Sequence, residues 1–113
     1  MKVNIKKKRK NIMTNWKEFY PNAQKSIKED INNHILNQNI NKIIKYLCNG
    51  EIILVSPSSV IDVISGERIA ASTYIYTDGE YSWSNALSYY VEKYNLKLPE
   101  EFENKILNHN YDI

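Results

Sequence analysis

At 113 residues, with 42% apolar and 25% charged side chains, the chain has the size and usage of one globular domain. That excludes two separately cored domains, and three Gly with three Pro exclude a low-complexity polymer. The formal charge of +2 is too small to define a partner class and conceals an uneven distribution.

Residues 1–12 hold Lys2, Lys6, Lys7, Lys8, Arg9 and Lys10 with no acid, leaving nine cations against thirteen acids beyond them, a net charge of −4. The block reads as a basic leader before a domain at 13–113, with Met13 as an alternative start. As a functional element, Lys6, Lys7, Lys8, Arg9 and Lys10 would bind nucleic acid by releasing counterions from phosphate. The block has no interleaved aromatics and belongs to no recognisable binding module. "MKVNIKKKRKNIM" also lacks the apolar core of a signal peptide, and no run reaches the ~18 to 20 apolar residues that span a bilayer. A soluble protein without membrane contact is the expectation.

From Asn22 to Asn49 the period is helical, with Ile27, Ile31 and Ile35 followed by Ile40, Ile43, Ile44 and Leu47. Pro21-Asn22 supplies a start and Asn49-Gly50 a stop, and "NQN" at 37–39 divides the segment into a helical hairpin or bends one helix. His34 and His109 stand without a second ligand at metal-binding spacing and read as partly exposed residues. Cys48, the single cysteine, excludes an internal disulfide and reads as a buried structural thiol of a reduced, cytoplasmic protein.

After Gly50 the period changes. "EIILVS" at 51–56, ended by Pro57, predicts a buried strand; "SSVIDVI" predicts a second, closed by Ser65-Gly66. "AASTYIYT" alternates, with Tyr74 and Tyr76 on the face opposite Ile75, and if Ile75 packs under the helices both rings are exposed. Asp78-Gly79 predicts a type I′ turn with positive φ at both residues, returning through "EYSW". Trp83, Leu87, Tyr90, Val91 and Tyr94 then form a helical stripe ended by Asn95. Pro99, Glu100 and Glu101 open a last helix that buries Phe102 and Ile106. The order predicts an α+β fold: an N-terminal helix or helical hairpin, a small antiparallel meander and two C-terminal helices.

Chemistry has little to work with. The chain has no Cys/His cluster, phosphate loop, dinucleotide fingerprint or nucleophile elbow. Asp62, Asp78 and Glu80 are the carboxylates that a hairpin would bring together around a metal or substrate; the simpler assignment gives Asp78 to the turn and the others to solvent. No enzyme activity and no cofactor are expected. Exposed Tyr74 and Tyr76 beside Asp78 and Glu80 instead have the make-up of a protein interface.

"YLCNGEI", "IDVISGERI" and "YTDGEYSWSNALSYYVEKYNLKLPEEF", in that order from about residue 46 to 107, resemble a group of small single-domain bacterial proteins. That group is of the immunity type, encoded beside polymorphic or contact-dependent toxins. The resemblance implies stoichiometric occlusion of a cognate toxin domain, often a basic nuclease. The acidic body independently favours a basic partner. Tyr74, Tyr76, Asp78 and Glu80 are the candidate interface.

Overall fold

The computed structural model describes residues 9–31 and 38–109. Among these described residues lie six strands, β1 (Lys10–Asn11), β2 (Glu51–Ser56), β3 (Val60–Ile61), β4 (Arg68–Ala70), β5 (Thr73–Thr77) and β6 (Tyr81–Ser84). Three α-helices accompany them: α1 (Ile40–Cys48), α2 (Ala86–Tyr94) and α3 (Glu100–Leu107). Four strands form one sheet in the order β1-β6-β5-β2, and β3 and β4 form a separate ribbon. Pairing is antiparallel except between β1 and β6, so the fold is α+β with an antiparallel-rich sheet.

The N-terminal part departs from the expected helix. Ile27–Asp30 is a short 3-10 helix, and Ile31 bridges Leu96. Ser26 caps the turn in a reciprocal box with Glu29, and Glu18 accepts from the Ser26 hydroxyl and the Ile27 amide. These side-chain bonds satisfy the backbone locally and hold the extended residue Ile31 out of helix. His34 and Ile35 lie outside the described residues. Helix α1 buries Ile43, Tyr46 and Leu47. Cys48, one step past that stripe, is exposed, correcting the buried thiol.

Lys10 and Asn11 pair in parallel with Tyr81 and Ser82, and Ile12 is buried in the core, so these residues belong to the folded body. Lys6, Lys7 and Lys8 lie outside the described residues.

One core joins the sheet to the helices. Trp83 on β6 lies against Phe102 of α3 and Tyr46 of α1, and its indole N–H donates to the Leu47 carbonyl (3.0 Å) at the end of α1. Leu87, Tyr90 and Val91 on α2, with Phe102 and Ile106 on α3, are buried as their spacing predicts. Asn95 ends α2 in the left-handed conformation (φ 52°), and Pro99 caps α3. Lys42 reaches across from α1 to the Leu107 carbonyl (2.7 Å), closing the open end of α3. No helix among the described residues is long and apolar enough to cross a membrane.

Candidate protein-binding surface

Gly50 starts the surface. A Cβ there would lie 2.9 Å from Cζ2 of Trp83 and 3.0 Å from Cβ of Tyr76, so only glycine lets the chain leave α1 so close beneath the sheet. The next residues, rich in Ile, Leu and Val, form β2 against β5. Ile52 faces Tyr76, Leu54 faces Ile75, Val55 faces Tyr74 and Ser56 faces Thr73, with the register shifting between Ile52 and Leu54. Directly opposed residues share a sheet face, so Ile52 and Val55 lie on the side of Tyr74 and Tyr76, and Leu54 lies on the other.

The buried strand expected here is exposed. Ile52, Ile53, Leu54 and Val55 keep 51, 42, 53 and 61% of their surface open. The reason is topological: β2 is the outermost strand of the sheet, with one paired neighbour among the described strands. The aromatic contacts of α1 and α3 fall on Trp83 of β6, which β5 separates from β2. An apolar run reports strand formation but cannot report position in the sheet.

The expected interface residues divide. Tyr74 is 37% exposed beside Val55 and extends the apolar edge. Tyr76 instead stacks on Trp83 (centroids 6.5 Å apart, planes at 16°) and is half-buried, because its face, rather than that of Ile75, is the one packed by helices. Burial pushes its phenol pKa up. Asp78 accepts from the Tyr46 hydroxyl (2.6 Å) and from the amides of Glu80 and Tyr81, and pairs with Lys105 at 3.1 Å. Burial alone would raise its pKa; the Tyr46 hydroxyl, the two amides and Lys105 outweigh that and hold the carboxyl below its ordinary value. Glu80 shares Lys105 (3.0 Å). Both carboxylates therefore fasten the hairpin to α3. The turn itself has positive φ at Gly79 (101°) and not at Asp78, so it is not type I′; Asp78 meets the following amides with its side chain instead.

Asp62 belongs to another network. It is fully buried, and its carboxylate accepts from the hydroxyls of Tyr89 and Tyr94 (2.7 Å each) and the amides of Ile64 (2.8 Å) and Ser65 (3.1 Å). Burial pushes its pKa up; the two hydroxyls and two amides more than reverse this and hold it far below the ordinary carboxylate range. Its network shares no member with that of Asp78 and Glu80, so the three acids do not converge. Among the described residues, no group of three or more His, Cys, Asp or Glu is placed to hold a metal.

Of the basic block, Arg9 is exposed, and Lys10 donates its amide to the Glu80 carbonyl (2.9 Å) with Nζ 3.9 Å from Glu101. A shallow hollow lies under the hairpin, lined by Tyr46, Asn49, Gly50, Glu51, Thr77, Asp78 and His109. No protein-family model, curated protein or solved structure matches the chain. Sequence reading missed the open edge and the Asp62 cluster. The second had a signal: an Asp inside "SSVIDVIS", just before the Ser65-Gly66 turn, is the residue type that accepts from its own following amides.

Proposed function

We propose that this chain is a non-catalytic binding protein of the bacterial immunity type, which neutralises a cognate toxin domain in the cytoplasm by covering its active site. The contact surface is β2 with Tyr74. One observation carries this reading: four consecutive large aliphatic residues stand 42 to 61% exposed on an open sheet edge, flanked by an exposed tyrosine. A contiguous apolar patch of this kind marks an interaction site, and an open edge offers backbone donors and acceptors as well. Acids outnumber cations by four beyond residue 12, an excess that favours a basic partner on faces away from the Lys10 edge of the sheet. Asp78 and Glu80, already shared with Lys105, contribute to that excess and set the hairpin rather than docking directly.

The test is capture of the product of the neighbouring toxin gene by the purified chain. Leu54→Lys or Val55→Lys weakens capture by about 100-fold or more, as for loss of a central apolar anchor. Failure of the wild-type chain to bind or neutralise that product overturns the immunity reading. Undiminished capture by both lysine variants overturns the assignment of β2.

A further inference from the structure

We propose that, in the absence of another partner, the open edge of β2 is covered by β2 of a second copy. The two strands run antiparallel, and two four-stranded sheets join into one of eight across a two-fold axis. The proposal rests on the reading of β2 as a contact surface and names what occupies it in the free protein.

Three observations converge on this occupant. First, β2 is open on both faces: Ile52 and Val55 project to one side and Leu54 to the other. A flat partner surface would cover one face, whereas an added strand covers the backbone edge and flanks both. Second, β2 is charge-compatible with itself in only one direction. Glu51 is the strand's sole charge and sits at its first residue, with Ser56 at the last. Antiparallel pairing sets the two Glu51 carboxylates at opposite ends of a contact made by residues 52–55; parallel pairing sets them side by side, which is repulsive. Third, the edge lacks the usual blocking residues, with no Lys, Arg or Pro between Glu51 and Ser56. The irregularity between Ile52 and Leu54 falls within the 52–55 contact and interrupts the edge there, so Leu54 and Val55 carry most of the new pairing. A contact built on one strand per copy falls at the small end of protein interfaces. We therefore set the dissociation constant on the order of 1–100 µM, weak enough to yield to a tighter partner.

Sedimentation velocity of the full chain alone, from ~1 to ~500 µM, tests this without any toxin. The expected result is a concentration-dependent passage from the 13.3 kDa monomer to a closed dimer. Leu54→Lys and Val55→Lys each raise the dimer dissociation constant at least about 30-fold with an unchanged melting curve, both side chains being exposed. Ile61→Lys, at an exposed apolar site off this edge, leaves association unchanged. A monomer at every concentration overturns the proposal, as does a dimer indifferent to both β2 lysines or growth beyond a dimer. Marked strengthening of the dimer by Glu51→Gln overturns the antiparallel arrangement, because only side-by-side carboxylates gain from losing their charge. A monomeric chain that still captures the toxin overturns the dimer and leaves the immunity reading standing.

Discussion

Asp62 shows most sharply how single residues hold this fold. Its carboxylate gathers β3, the following turn and α2 through two phenols and two amides, while Tyr90 accepts from the Val63 amide (2.9 Å) beside it. Burial pushes the Tyr90 phenol up to about 12, so it stays neutral throughout the useful pH range. Asp62→Ala leaves four donors without their acceptor and is expected to cost about 3 kcal/mol or more by urea unfolding, more than a typical exposed substitution. The pH dependence has a definite sign. The Asp62 pKa is lower in the folded chain than its ordinary value of 3.8, so its contribution is complete above that value and is lost as pH falls below it. The stability gap between the wild type and Asp62→Asn should accordingly narrow from pH 5 toward pH 2, about the ordinary aspartate range; a constant gap would show that the charge is not what the tyrosines read. Core residues such as Leu87, Tyr90, Phe102 and Ile106 were legible because helical spacing fixes which side faces inward. Trp16, fully buried with its indole N–H on Asp30 (2.7 Å), was not, because it lies in no periodic segment.

Among elements, the C-terminal hairpin, α2 and α3 carry dense local signals, and their order was readable: Asp78-Gly79 turns, Asn95 stops a helix and Pro99 starts one. The stretch before α1 was misread because Ser26, Glu29 and Glu18 close a single 3-10 turn at Ile27 through local side-chain bonds, and Ile31 reaches the fold as an extended residue rather than on a helix face. The α1–β2 junction depends on close approach at Gly50. Gly50→Ala forces Trp83 or the backbone near Tyr76 to give way, with an expected cost of about 1–3 kcal/mol. Thermal melts with near-ultraviolet circular dichroism would follow this, since displacement of Trp83 changes its aromatic signal; an unaltered melt and spectrum would show that the junction has slack. Strand β2 was legible as a strand and illegible as an edge. Sheet order depends on which strands lie further along the chain, and local apolarity holds no record of it.

For the molecule as a whole, the α+β class followed from the succession of periods, and the unequal charge distribution was present in the sequence. Asp78 and Glu80 share Lys105, so under the proposed reading the attraction of a basic partner rests on the wider excess of acids beyond residue 12 rather than on those two carboxylates. Raising salt from 50 to 500 mM should slow association with a basic toxin by at least about tenfold while changing the dissociation rate little. Equal loss on both rates would assign the acids to the contact itself. Binding through β2 is the central proposal for this molecule. Hydrogen exchange on the dilute chain, with and without its captured toxin, tests this most directly. We predict new protection of the amides across Glu51–Ser56 and around Tyr74; protection confined to other segments, with β2 exchanging as in the free chain, would contradict it.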